Sequence, residues 1–271
     1  MPRKIIIDTD PGQDDAIAIL LALASPELEV LGITAVAGNV PLALTEKNAR
    51  KICELAGRPE TKVFAGASRP LVRHLVTAEY VHGKTGLDGP DLPDPRMQLQ
   101  PQHAVDFIVE TLMREEPGTV TLCPLGPLTN LALAFRLAPD ILPKVKRIVL
   151  MGGAIGLGNI TPAAEFNTYV DPHAAHIVYH AGWPMTLVPL DVTYQCVLTQ
   201  ADVDRLLARE GAVARFIADA TRFYMEFHDE YQSIKGCVIN DPLALALVFA
   251  PELVVTKSLY VTVDLASELS L

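Results

Sequence analysis

Ile5-Ile6-Ile7-Asp8-Thr9-Asp10-Pro11-Gly12-Gln13-Asp14-Asp15, near the amino terminus, decides how the rest of the chain is read. Three consecutive β-branched residues form a strand buried on both faces, and the Pro-Gly pair after them is a turn. Asp14 and Asp15 then fall at the N-cap and first turn of a helix carrying the apolar run Ala16 to Ala24. The aspartates therefore gather at the carboxyl end of a buried strand, where open α/β sheets keep their ligands. A helix N-terminus accounts for Asp14 or Asp15 singly. It does not account for Asp8, Asp10, Asp14 and Asp15 together, because carboxylates a few ångströms apart repel strongly at an intermediate dielectric. A cation between them relieves that repulsion. An all-oxygen set with no Cys or His suits a hard ion, Ca²⁺ or Mg²⁺, rather than zinc.

Working outward, the same alternation repeats. Val30 to Ala37 is a second buried strand ended by Gly38-Asn39, residues 44 to 56 are a helix stopped by Gly57, and Lys62 to Gly66 is a short third strand. Residues 67 to 100 lose periodicity and are rich in Pro and Gly, the character of a binding loop or lid, with His82-Gly83 in its most structured piece. A helix over 102 to 115, a strand over 119 to 123, the turn Pro124-Leu125-Gly126-Pro127-Leu128-Thr129-Asn130 with its helix, and a strand ending in Met151-Gly152-Gly153 follow. A second irregular stretch, 154 to 170, holds Asn159, Glu165, Phe166 and Asn167, and Asp171 caps the next helix. Met185 to Pro189 reads as a strand, Thr199 to about Glu230 as helical, Asn240-Asp241-Pro242 as the start of a helix and Val254 to Val263 as a last strand. Strands alternating with helices predict one α/β domain with an open, mostly parallel sheet covered by helices on both faces.

Half of the 271 residues are hydrophobic, enough for a large core. The net charge of −10 and scattered basic residues argue against nucleic acid as a partner. Cys53, Cys123, Cys196 and Cys237 are widely separated, so neither a zinc site nor a redox pair is expected. Too few apolar residues precede Asp8 for a signal peptide, and the run from Ala16 to Ala24 is too short to span a bilayer. The expectation is a soluble cytoplasmic protein without membrane contact.

The opening Asp8 to Asp15, Asn39, His82-Gly83, the turn from Pro124 to Asn130, Met151-Gly152-Gly153, Asn159, Glu165-Phe166-Asn167 and Asp241-Pro242 occur in an order and spacing that resembles the inosine-uridine preferring nucleoside hydrolases. The likeness spans nearly the whole chain. It implies a modified dinucleotide-binding fold, bound Ca²⁺, assembly as a homodimer or homotetramer, and hydrolysis of the N-glycosidic bond of purine or pyrimidine ribonucleosides to ribose and free base. Carried over residue by residue, the metal ligands are Asp10, Asp15, Asp241 and the backbone carbonyl of Leu125. Asp14, Asn39 and Asn167 hold the 2′- and 3′-hydroxyls of ribose and Asn159 and Glu165 the 5′-hydroxyl, with Phe166 in the same substrate-binding set. Breaking the bond builds positive charge on the sugar, and water must reach C1′. Calcium is a weak Lewis acid, so a base is required, and Asp10 is the expected one.

Two features depart from the family pattern. Asn240 stands where many members have a His that protonates the leaving base, and an amide donates a hydrogen bond but not a proton; His82, Tyr224, His228 or Tyr231 is then the expected substitute. Pyrimidines, the poorer leaving groups, should suffer most. Family members also continue beyond Ala266-Ser267-Glu268-Leu269-Ser270-Leu271, which reads as entry to a strand and turn, so residues 1 to 271 are taken as a single nucleoside hydrolase domain without the family's C-terminal end. Two rivals remain open at this point. One is a calcium-dependent nucleoside or ribose binder that has lost catalysis, which would share the metal and ribose contacts. The other is a haloacid-dehalogenase-like phosphatase opening on Asp8-x-Asp10, although that class has Thr or Val where Gly12 stands.

Overall fold

In the computed structural model, which describes residues 1–266, the opening isoleucines form β1 (Arg3–Thr9), the centre of the sheet. Ile5 and Ile7 enter one apolar cluster and Ile6 the other, so both faces of β1 are buried. The chain continues through α1 (Gln13–Ala24), β2 (Leu28–Ala35), α2 (Leu42–Leu55), β3 (Val63–Ala65), the short α3 (Glu79–His82), α4 (Ala104–Arg114), β4 (Val120–Pro124), α5 (Thr129–Leu137) and β5 (Val145–Met151). It is completed by α6 (Phe166–Val170), α7 (Pro172–Tyr179), β6 (Met185–Val188), α8 (Leu190–Thr193), β7 (Val197–Leu198), α9 (Gln200–Leu207), α10 (Ala212–Gln232), β8 (Cys237–Val238) and α11 (Asn240–Ala246).

Six strands pair in the order β3-β2-β1-β4-β5-β6, and every pairing is parallel. Helices cover both faces: α1, α2 and α11 contribute to the cluster around Ile5 and Ile7, and α4, α5 and α7 to that around Ile6. The strand order reverses between β1 and β4. This is the switch point at which doubly wound sheets open a crevice beyond the strand ends. Asp10 follows β1 and Leu125 follows β4 at that point, and the parallel register sets Asp8 beside both Thr34 and Pro124.

Some expectations change. The helix of residues 13 to 24 begins two residues earlier than expected, with Gly12 rather than Asp14 as its N-cap, so both Asp14 and Asp15 lie in its first turn. The helical stretch expected from Thr199 to Glu230 is broken between α9 and α10, where Glu210 and Gly211 take positive φ values of 52° and 114°, a conformation that ends a helix and that glycine adopts freely. Helix α11 starts at Asn240, as expected, and ends at Ala246. Residues 254 to 263 form no strand: β-branched side chains favour extension, but the segment has no ladder partner among the described residues and is largely exposed. β7 and β8, unforeseen, make a small antiparallel pair beside α10. The strand-turn reading of the last six residues falls almost entirely on 267 to 271, outside the described residues. No helix among the described residues is long and apolar enough to cross a membrane.

Candidate active site

Above the switch point lies an open cleft with about 660 Å³ of space, part of it continuous with solvent. Its floor and one wall carry Asp14, Asn39, Leu125, Met151, Asn159, Glu165, Phe166, Asn167 and Asp241. The opposite wall comes from α3 and α10, with Tyr80, Val81 and His82 on the first and Tyr224, Phe227, His228 and Gln232 on the second; Tyr194 and Asn240 complete it. Residues 226 positions apart, Asp14 and Asn240, meet through a bond of 3.1 Å from Asn240 Nδ2 to Asp14 Oδ2.

Carboxylates from the opening stretch and from the start of α11 converge at the cleft floor. Asp14, Asp15 and Asp241 are all buried and offer oxygens within 4.8 Å of one another. Asp10 lies beside them, fully buried, and neither it nor Asp15 lines the open cleft. Asp10 Oδ2 accepts from the Asn39 backbone N–H at 2.7 Å, while Oδ1 is buried without a partner. A Cβ on Gly38 would come within 2.0 Å of Asp10 Oδ2, and one on Gly126 within 2.3 Å of Oδ1, so only glycines let both loops close on this carboxylate. Asp15 accepts from the Gly12 N–H at 3.0 Å and from the Thr9 hydroxyl.

Burial raises the pKa values of this group, and mutual repulsion adds to the rise. The Asp10 carboxyl is held well above the usual range by burial and then by Asp15. Asp15 is pushed up to about 6 by burial and then by Asp14. Asp241 is raised by burial and then by Asp14, Asp15 and Asp10. Buried oxygens that repel one another, one of them with no donor at all, fit a hard divalent cation: it would replace protons as the counter-charge and find only oxygen ligands.

The remaining predicted residues are also brought to the cleft, several already engaged by the protein. Asn39 Nδ2 donates to the Asp10 carbonyl at 3.1 Å and to Asp15 Oδ2 at 3.2 Å. Asn167 Nδ2 donates to the Leu125 carbonyl at 2.8 Å and the Met151 carbonyl at 3.4 Å. Glu165 caps α6: its oxygens accept from the N–H groups of Asn167 at 2.7 Å, Thr168 at 3.0 Å and Gly153 at 3.0 Å. Asn159 Oδ1 accepts from the Phe166 N–H at 2.8 Å, leaving its amide hydrogens unused. His82 sits at the end of α3 rather than in a loop. Tyr231 is 68% exposed and does not line the cleft, so of the four named substitutes for a leaving-group acid only His82, Tyr224 and His228 are present there.

Gln13, Tyr80, Tyr194 and Gln232 were missed. Tyr194 and Gln232 have no motif to mark them, whereas Gln13 lies inside the opening stretch but is masked there by the aspartates on either side. Asp8 has a separate function. It turns to the other face of the sheet, where Thr34 Oγ1 at 2.5 Å and Asn130 Nδ2 at 2.8 Å donate to it, tying β1 to β2 and α5.

Fold and site together define an α/β enzyme with an acidic, cation-suited centre at the switch point of a parallel sheet. The family model described as inosine-uridine preferring nucleoside hydrolase matches residues 5–271. The chain is 46% identical over 265 residues to the pyrimidine-specific ribonucleoside hydrolase RihA of Salmonella agona, covering 97% of this chain and 85% of that protein. An uncharacterized protein of Schizosaccharomyces pombe is 46% identical over 269 residues, covering 99% and 87% of the two chains. Among solved structures, a purine-preferring ribonucleoside hydrolase from Gardnerella vaginalis superposes with a TM-score of 0.95 at 35% identity, over 99% of this chain and 86% of that one. The chain belongs to the inosine-uridine preferring nucleoside hydrolase family and is an enzyme that hydrolyses the N-glycosidic bond of ribonucleosides. The phosphatase and inactive-binder readings are thereby set aside.

Proposed function

We propose that the hydrolase is calcium-dependent, with Asp10, Asp15, Asp241 and the Leu125 carbonyl holding the ion and Asp10 serving as the base. The observation that carries this reading is the cluster of carboxylate oxygens within 4.8 Å at the cleft floor, beside the unpartnered Asp10 Oδ1. When bound, the ion supplies positive charge that keeps these carboxylates ionised and acidifies water held beside them. Asp10 Oδ1, free of any protein donor, takes the proton of the attacking water. Asn39 and Asn167 have both amide hydrogens engaged, so each meets the 2′- or 3′-hydroxyl through Oδ1 as an acceptor, next to Asp14. Asn159 Nδ2 donates to the 5′-hydroxyl, and Glu165 keeps the Asn159 and Phe166 segment in place through its cap while one acceptor position on Oε1 stays open. A substrate lacking a ribose hydroxyl leaves such buried groups unpaired, which disfavours deoxyribonucleosides.

The test is ribose release from inosine, adenosine, uridine and cytidine before and after chelation. Release that stops with chelator and returns with Ca²⁺ is expected; release indifferent to chelation, or none from calcium-loaded protein, overturns the reading. By likeness to the family the working form is a homodimer or homotetramer, to be read by sedimentation. The four free cysteines suit a reducing cytoplasm.

A further inference from the structure

We propose that Gln13 is a positioning residue that fixes His82 as the Nδ1–H tautomer, so that His82 and His228 both present a bare Nε2 to a hydrogen-bond donor on the nucleobase. This rests on the reading of the cleft as the nucleoside site. Gln13 and His82 are 69 positions apart and form a two-point clamp: Gln13 Nε2 donates to the His82 backbone carbonyl at 3.1 Å, and Gln13 Oε1 meets His82 Nδ1 at 2.5 Å. A backbone carbonyl only accepts, so the amide nitrogen must face it and the amide oxygen must face the ring. An oxygen that only accepts requires the hydrogen on Nδ1. The neutral ring then carries its lone pair on Nε2, for which no hydrogen bond occurs among the described residues.

The same logic holds across the cleft. His228 Nδ1 lies 2.8 Å from the Tyr224 carbonyl, again an obligate acceptor, which leaves Nε2 as the lone-pair nitrogen. The Tyr224 ring stands between the two imidazoles, 5.5 Å from His82 and 4.4 Å from His228. Burial favours the neutral form of both rings by lowering their pKa values, that of His82 to about 4. Gly12 makes the clamp possible, since a Cβ there would come within 2.5 Å of His82 Nδ1. Two further acceptors on this wall, Gln232 Oε1 and Asn240 Oδ1, are buried without partners. A wall so rich in acceptors reads the ring N–H or exocyclic amine of a base. Neither imidazole carries a proton on the nitrogen facing that base, so neither is the acid that protonates it on departure.

Nitrogen-15 NMR of the histidine-labelled free enzyme reads the tautomers without any turnover, the two signals being assigned by their loss in His82→Gln and His228→Gln. The expected pattern is a protonated Nδ1 and a bare Nε2 for both; a protonated Nε2 on His82 overturns the proposal even if ribose release is normal. Gln13→Glu keeps an obligate acceptor at Nδ1 and should retain the wild-type pattern, whereas Gln13→Leu should give mixed tautomers. Gln13→Leu should also lower kcat/KM about tenfold on uridine and inosine, while p-nitrophenyl riboside, whose leaving group has no N–H, changes less than about twofold. Equal losses on both substrate types would assign Gln13 a merely structural role and overturn the proposal. Failure of every nucleoside to react would count against the substrate reading and leave the tautomer measurement to stand on its own.

Discussion

On the proposed ribose side of the cleft the amides of Asn39 and Asn167 are engaged before any substrate arrives, Glu165 caps a helix, and Gly38 and Gly126 close on Asp10, while Asn159 keeps its amide hydrogens for a ligand. On the proposed base side Gln232 Oε1 and Asn240 Oδ1 have no partner among the described residues, and the rings of Tyr224, Phe227 and His228 lie against one another along a helix. The first wall gathers on the turns after β1, β2 and β4 of one parallel sheet, joined by the irregular segment before α6 and by the start of α11. The second is built from a short helix in an irregular segment and a long helix begun after a glycine break. If the floor holds sugar and metal as proposed and the separately built wall meets the base, one can change without the other.

The largest effect should come from the floor. Asp10→Asn removes the proposed base and one metal ligand while keeping the side chain's shape, and kcat should fall about a thousandfold or more. The same substitution should raise the melting temperature of chelated protein, because burial and Asp15 disfavour the ionised form that it removes. A variant that loses activity and stability together would break the distinction between a catalytic floor held under repulsion and an ordinary buried network.

The floor was also what the sequence made legible. Asp8 to Asp15 is contiguous, so a strand, a turn and a helix start fix its geometry within a few residues, and the parallel order follows from the alternation. Asp241 joined the cluster only through the family resemblance, since no local pattern distinguishes it from a helix-start aspartate. The base-side wall was less legible because its contacts are non-local. Gln13 meets His82 across a segment without periodicity, and Gln232 lies at the end of a helix whose polar residues look solvent-facing. The strand expected over 254 to 263 failed for a related reason: extension is a local preference, but a strand exists only with a partner.

An intermediate effect separates the two walls by pH. His82 is buried and favours the neutral form, its pKa lowered from 6.5 to about 4 by burial. Between those values the unfolded chain binds a proton the folded one refuses, so stability is present above pH 6.5 and is lost as pH falls toward 4. The loss at His82 is about 3 kcal/mol. Asp8, raised to about 7 chiefly by burial, acts in the opposite direction: its stability is present at low pH and lost as pH rises through 7. Wild type minus His82→Gln, measured by denaturant unfolding in chelator from pH 4 to 7, isolates the histidine. A difference that does not change with pH would mean that His82 is not held neutral.

The smallest effect tests whether the base-side wall lacks an acid. Asn240 Nδ2 is turned to Asp14 at 3.1 Å, so the residue is anchored to the floor while its Oδ1 faces no donor. An amide there cannot release a proton, and the tautomers proposed for His82 and His228 keep their hydrogens on Nδ1. Uridine, with the poorer leaving group, should therefore be hydrolysed less efficiently than inosine, although a relative at 46% identity is named for pyrimidines and one at 35% for purines. Asn240→His places an imidazole beside Asp14, whose charge favours the protonated ring. General acids contribute about a hundredfold or more when well placed. A ring introduced into a wall shaped for an amide should deliver less, about a tenfold gain in kcat/KM on uridine and little on inosine. Equal efficiencies on the two nucleosides in the wild type, or equal gains in the variant, would mean that leaving-group protonation does not set base preference in this enzyme.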